Sequence, residues 1–559
     1  MTGNIQKLSI RLLKDGFNPE DALREGVDLV DWEKFEGSKI AVATMGGGAP
    51  KWTKFLELSA EEKRKVFNTT AYGLVFVQAS GRWFGVSFGM GHVKLDPAKF
   101  EQDFGLKVVL NAVDPKQLKS ADVRTPDENT LQKRSQTSRG SDQTAFSIDI
   151  ERDIVRGLAG TPKDSGFAVR VAGTDALSID RKMEISELVQ ACADAYAMYS
   201  KTDYQQDFAW IDQIKHEREK AVVEALEEVL VAAIDAVIKG GDPDSIFLAF
   251  PIIYDPEKTA YLRYKGFRSN NLYPDLNFIG YVDAMKERSK TSFTRVDFDT
   301  HSVHEVDDEG KDCGRKWKIS ECLVFETELD GKTYVLSAGR WYCVDEDLAK
   351  EVQDFFDAVP RVSLPAAEAG DNEETYNARV KATDADFLCL DRKLVKPTGA
   401  SSPIEVCDFL TKAKWLIHVK DKTSSSRLSH LFNQGTVSAR VLILDRAARA
   451  KTRERIEKVQ DETGQTEFTE IIADVDGDFH PAEFTVVYAV LSVGDEPKLP
   501  FFSLVTFRQA VRELTALGYK HAFAWIEKPA ADPLKKSKKT KADGTADNDD
   551  ATDEDDAAA

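Results

Sequence analysis

The sequence predicts a multidomain α+β protein, with β-rich N-terminal and central parts and a C-terminal third in the order αβββαβ. Three observations carry this. The chain has 559 residues, several times a usual single domain, so roughly two to four cores are expected. Short apolar runs punctuated by Ser-Gly and Asp-Gly recur through the first two thirds, and that spacing reads as hairpins. From Glu373 to Leu491 the residues lay out as a helix (EETYNARVKAT), strands (FLCLD, IEVCD, LIHVK), a helix beginning SSSRLSHLFNQ, and a strand (FTVVYAVLS).

Composition narrows the function classes. A net charge of −20 excludes wholesale electrostatic binding of nucleic acid, so any such site must be a local basic patch. The cysteines, at 192, 313, 322, 343, 389 and 407, form no C-x-x-C pair and read as buried thiols in a reducing cytoplasm. MTGNIQKLSIRLLKDGF lacks the apolar core of a signal peptide. No segment approaches the ~18 uninterrupted apolar residues of a membrane span. A soluble, cytoplasmic protein without a membrane partner is expected.

Residues 1–118 read as an N-terminal α/β domain. IQKLSIRLL, KIAVATM and FGLKVVLNAV are its strands, and AYGLVFVQA and GRWFGVSFGMG pair through Ser80 and Gly81. Gly46, Gly47 and Gly48 read as a flexible turn, because no Lys-Ser/Thr pair follows to make a phosphate loop. Residues 119–143 are polar and read as a linker or loop; Lys133, Arg134 and Arg139 among hydroxyls make a phosphate-touching loop the alternative. Residues 144–240 form a helix-rich α/β segment. In it Val222, Leu226, Val229, Ala233 and Val237 make one helical stripe that stops at Gly240 and Gly241.

Residues 241–365 read as a β-rich central domain with a hairpin turn at Asp330 and Gly331. Tyr261, Arg263, Tyr264, Lys265 and Arg268 are either half-exposed strand positions or a stacking platform for single strands. Gly339, Arg340 and Trp341 repeat Gly81, Arg82 and Trp83, which is too little to establish a duplication. Residues 366–528 make the αβββαβ domain. Residues 529–559, a lysine run followed by acids among alanines, read as a disordered tail.

The chemistry concentrates between Phe387 and Leu442. On a strand LIHVK, Ile417 and Val419 turn inward while His418 and Lys420 share the other face. Asp408 closes the preceding run. A carboxylate, a turn and a lysine on the next strand is how PD-(D/E)xK nucleases hold a divalent metal, so the segment reads as a restriction-endonuclease-like core. The expected catalytic residues are Asp408, His418, Lys420 and Gln434. Asp408, Glu405 and Asp391 would hold Mg2+, with Glu374 as a helper. Arg392, Lys393, Lys422 and Arg427 would meet the phosphate backbone, since bases outnumber acids from 391 to 427.

Three features depart from that pattern. His418 stands where an acid is usual. Glu405 and Asp408 have opposite strand parity, so both reach one metal only if the strand bends or ends between them. Ser402, Pro403 and Glu405 also fit a capping box that would make IEVCDFLTKAKW a helix. His418 and His430 have no third partner for a zinc site, and Ser424, Ser425 and Ser426 read as N-caps.

At IEVCDFL, LIHVK and SSSRLSHLFNQG the sequence resembles a bacterial family described as sporadically distributed, with a domain of unknown function. HVK followed by S-x-LSHLF-x-QG is the most specific mark, and the resemblance covers most of the chain outside the acidic tail. It implies a role in defence against phage or foreign DNA and carries no established chemistry. The expected function is a Mg2+-dependent nuclease, acting on DNA before RNA. The alternative is a non-catalytic protein that binds nucleic acid or a phage component, or that scaffolds a defence system. A second copy of the chain or a defence-system subunit is the further partner expected.

Overall fold

The computed structural model describes residues 4–50, 53, 56–126, 130–243, 245–254, 261–307, 309–421, 425–472, 477–493 and 499–529. The chain divides into two compact units, Met1–Gln353 and Asp354–Ala559. The lysine and acid runs of the tail and Lys422 and Ser424 lie outside the described residues, as does the side chain of Arg427.

The first unit is built on a ten-stranded antiparallel sheet. Its strands are β1 (Ile5–Leu12), β2 (Val30–Asp31), β3 (Lys39–Gly48), β4 (Asn68–Ala79), β5 (Arg82–Gly89), β6 (Val113–Arg124), β7 (Gln132–Ser141), β8 (Ile154–Pro162), β9 (Arg170–Gly173) and β10 (Leu177–Lys182). They lie in the order β2-β3-β4-β5-β1-β10-β9-β8-β6-β7. The β4/β5 hairpin turns on Ser80 (φ 50°) and Gly81 (φ 74°), the left-handed pair that matches strand twist.

Three expectations change here. Residues 119–143 are no linker, because β6 and β7 occupy them and carry the sheet from the first segment into the third. Leu118, Ala121 and Val123 point into the core from between polar neighbours, and β7 is polar because it is an edge strand. Gly46–Gly48 finish β3 instead of turning. FGLKVVLNAV is mostly helix, α1 (Phe104–Ala112), buried almost all round between the sheet and α2 (Leu188–Tyr199). An apolar run buried on every side has no periodicity to separate helix from strand.

The same unit continues with α3 (Lys220–Ile238) and two smaller sheets. Strands β11 (Ile214–His216), β12 (Ile246–Leu248), β16 (Leu323–Leu329), β17 (Lys332–Ser337) and β18 (Arg340–Val344) run β11-β18-β17-β16-β12. Strands β13 (Tyr261–Lys265), β14 (Ser302–Val306) and β15 (Asp312–Lys318) make the other. No stacking platform forms on β13. Tyr264 is in the core with its hydroxyl on the Asn277 carbonyl, and Arg263 and Lys265 both pair with Asp312. The repeated Gly-Arg-Trp triplets each leave a left-handed turn, at Ser80 and Gly81 and at Ala338 and Gly339. Turn geometry accounts for that part of their likeness.

The second unit is a three-layer arrangement. Helix α4 (Glu373–Thr383) precedes β19 (Phe387–Cys389), β20 (Leu394–Val395), β21 (Ile404–Glu405), β22 (Phe409–Thr411) and β23 (Trp415–Asp421). Then come α5 (Ser425–Leu444), α6 (Arg446–Thr463), β24 (Thr485–Val493), α7 (Phe501–Ala516) and β25 (Lys520–Lys528). The main sheet runs β19-β22-β23-β24-β25, antiparallel as far as β23 and parallel beyond. Strands covered on both faces read as unbroken apolar runs, which is how FTVVYAVLS appears. On one face Ile417, Val419, Val487 and Ala489 pack under Tyr376 and Val380 of α4. On the other, Tyr488 meets Phe432 of α5 and Phe507 of α7.

The six cysteines are free thiols, with Cys192, Cys322 and Cys407 buried. Among the described residues no helix is long and apolar enough to cross a membrane.

Candidate metal centre

The stretch IEVCDFL is neither one strand nor a helix. β21 ends at Glu405 after pairing with β20, Val406 and Cys407 turn into the core, and β22 starts at Phe409. This break removes the parity obstacle. Cys389 of β19 pairs with Phe409, and the Leu390 N–H donates to the Asp408 carbonyl at 2.7 Å, so Asp391 and Asp408 are held side by side. Carboxylate oxygens of Asp391, Glu405 and Asp408 all lie within 4.8 Å of one another.

Each acid is held by its neighbours. Asp408, 4% exposed, accepts from the Val419 N–H at 2.8 Å and from Asn377 Nδ2 at 3.3 Å. The same Asn377 nitrogen donates to Asp391 at 3.2 Å. Glu405 accepts from the Arg392 N–H. Lys420 reaches Glu373 at 3.0 Å, and Glu373 is close enough to Glu405 and Asp408 to raise the pKa of both. Three carboxylates therefore converge with Glu373 and Lys420 close by, an excess of hard oxygen donors that could hold a divalent cation.

The electrostatics agree. Burial, then repulsion from Asp391 and Glu373, pushes the Glu405 carboxyl up to about 7 against the pull of the Arg392 N–H and Lys420. Asp408 is driven well above the carboxylate range, first by burial and then by Glu405. Groups whose folded pKa exceeds the unfolded one stabilise the fold fully below about pH 4, and that stability is lost as pH rises through about 7. A divalent cation needs the ionised carboxylates. The rise in melting temperature on adding Mg2+ or Mn2+ is therefore expected to be larger near pH ~8 than near pH ~5.5. Glu405→Gln should flatten the pH slope of the metal-free melt. A metal shift of equal size at both pH values would count against a metal at these acids.

The remaining expected residues fall elsewhere. His418 does not join the acids. It lies 2% exposed toward α5, its Nε2 3.4 Å from the Ser438 hydroxyl, and burial pushes its imidazole down to about 3. Lys420 shares its parity but stands at the strand end, where a long side chain turns to Glu373. Gln434 is half-buried on α5 with no described polar contact to the acids. Arg392 is exposed and pairs with Glu374 at 3.3 Å; Lys393 is half-buried. The basic stretch is partly neutralised from outside: Lys412 pairs with Glu467, Lys414 with Glu483 and Lys420 with Glu373.

Glu373 and Asn377 were missed, and Glu374 was named in place of the first. Helical spacing contains the signal, because positions i and i+4 share a face and place Glu373 above Asn377. Asn372 caps this helix through the Thr375 N–H, which fixes where the first turn starts.

Fold and site together define an α+β protein with a carboxylate and lysine centre suited to a divalent cation. The family model described as Family of unknown function (DUF6119) matches residues 8–527, and the chain belongs to that family. No curated protein and no solved structure matches it.

Proposed function

We propose that the second unit is a divalent-metal-dependent nuclease with a restriction-endonuclease-like core. One observation carries this reading: Asp391, Glu405 and Asp408 converge within 4.8 Å, beside a lysine on the adjoining strand. The order of the elements supports it, with α4, then antiparallel β19, β22 and β23, then α5 and a parallel β24.

Asp391, Glu405 and Asp408 would hold the cation, which would polarise water and take up developing charge. Lys420, kept in place by Glu373, donates to an oxygen of the scissile phosphate. The Val419 N–H and Asn377 keep Asp408 from rotating. The defence role implied by the resemblance makes phage DNA the first substrate to try.

Lys420→Ala is expected to lower Mg2+-dependent cleavage of DNA by about 100-fold or more while leaving metal binding within about threefold. Gel assays on linear and supercoiled DNA and on RNA, beside calorimetric metal titration, check both. Equal cleavage by parent and variant would sink the reading.

A non-catalytic nucleic-acid or partner-binding protein is the second reading. The ion pairs of Lys412, Lys414 and Lys420 favour it, because they leave less free positive charge for a phosphate backbone. Metal binding with no cleavage of either nucleic acid would select it.

A further inference from the structure

We propose that the first unit binds a small organic anion with a flat, apolar body, in a cleft of about 430 Å3 beside α1. This inference is independent of the nuclease reading. The volume falls within the ~300–1,000 Å3 of small-molecule pockets. Leu106 and Leu110 of α1, Ile211 and the rings of Trp210, Tyr204 and Tyr342 line it. Aromatic walls of this kind suit a planar ligand body.

The cations on and behind the walls decide the sign of the ligand. Every lining acid already accepts hydrogen bonds, Asp212 and Glu217 from neutral donors. Asp103 meets Arg340 at 2.8 Å and His216 at 3.0 Å, and Asp153 accepts from Thr125 at 2.6 Å and Lys133 at 3.3 Å. Asp212 accepts from the Tyr204 hydroxyl at 3.1 Å and Gln205 at 3.0 Å, and Glu217 takes the N–H groups of Arg218 and Glu219.

Of the lining bases, Arg218 pairs with Asp103 at 3.3 Å, whereas Lys107 and Lys215 are less well matched. Lys107 forms no ion pair among the described residues and lies over the Tyr199 ring at 5.0 Å. Lys215, also on the wall, has none either. Burial, then the nearby Arg218 and Lys215, draw the Lys107 ammonium below its ordinary pKa against the opposing pull of Asp212.

Behind Tyr342 lie two further guanidinium groups. Arg156 donates to the Tyr342 hydroxyl at 2.5 Å. Near it Arg124, 2% exposed, spends Nη1 on the Phe250 carbonyl at 2.7 Å, while its Nε and Nη2 have no hydrogen-bond partner among the described residues. A buried guanidinium without a carboxylate leaves a field that an anion in the adjoining cleft would relieve.

The test is calorimetric titration of the full chain with 1-naphthyl phosphate, 1-naphthoate and AMP, against neutral 1-naphthol and adenosine and against inorganic phosphate. At least one of the three organic anions should bind at least about tenfold more tightly than its neutral counterpart and than inorganic phosphate. Lys107→Arg should keep that binding, and Lys107→Glu should weaken it at least about tenfold with an unchanged melt in the absence of ligand. If Lys107→Glu does not fold, Lys107→Gln and Lys215→Glu give the same reading. The proposal is overturned if no organic anion binds at about 5 mM. It is equally overturned if the neutral compounds bind as well, or if the folded charge variants bind like the parent.

Discussion

Asp408→Asn is expected to abolish metal-dependent cleavage, by about 10^4-fold or more, and at the same time to raise the melting temperature of the metal-free protein. The two effects share one cause. Asp408 is 4% exposed and sits among Glu405, Glu373 and Asp391, so its charge is both the reason a cation would bind and a burden without one. Removing it relieves the repulsion, a gain of about 1–2 kcal/mol. The amide fits the space. Its oxygen still accepts from the Val419 N–H, and Asn377, whose Oδ1 is buried without a partner among the described residues, can turn that oxygen toward the new NH2 group. A purely structural acid would behave in the opposite way, with Asn lowering the melt and leaving activity alone. Differential scanning calorimetry with and without Mn2+, run beside the cleavage assay, reads both signs.

What was legible in the sequence followed the physics of each signal. The hairpins at Ser80 and Gly81 and at Asp330 and Gly331 were readable because a left-handed pair leaves a local mark. From Glu373 to Leu491 the strands LIHVK and FTVVYAVLS were readable because β23 and β24 run parallel, are buried on both faces and carry unbroken apolar runs, whereas IEVCD breaks between β21 and β22 and was not one strand. Asp391, Glu405, Asp408 and Lys420 were found together, since each ends or flanks such a run.

The misses came from information that is not local. α1 read as a strand because a helix buried on all sides shows no polar face. Residues 119–143 read as a linker because an edge strand is polar on both faces, and only β6 and β8 show that it belongs to the sheet. His418 was placed with the acids by strand parity, yet that parity points it at Ser438 on α5. Lys420 has the same parity and escapes it by the length of its side chain. Glu373 was missed because its role depends on a lysine 47 positions away.

Gly435→Ala is expected to destabilise the second unit while leaving metal affinity unchanged. In an ordinary helix the substitution stabilises by about 1 kcal/mol. Here the sign reverses, because a Cβ at Gly435 would lie 2.5 Å from Cε1 and 2.6 Å from Oη of Tyr488. Tyr488 cannot yield. It is fully buried, its hydroxyl donates to the Phe432 carbonyl at 2.9 Å, and the rings of Phe432 and Phe507 pack against it. α5 must therefore lift from the sheet, at an overpacking cost of about 2–3 kcal/mol that outweighs the gain in propensity. The glycine of the LSHLF-x-QG run thus serves a close helix–strand approach. The carboxylates are gripped from α4, on the other face from α5, so metal titration of the folded variant should match the parent. A parental melt would show that α5 has room to spare, and a weakened metal site in a stable variant would mean that the two faces are coupled through β23.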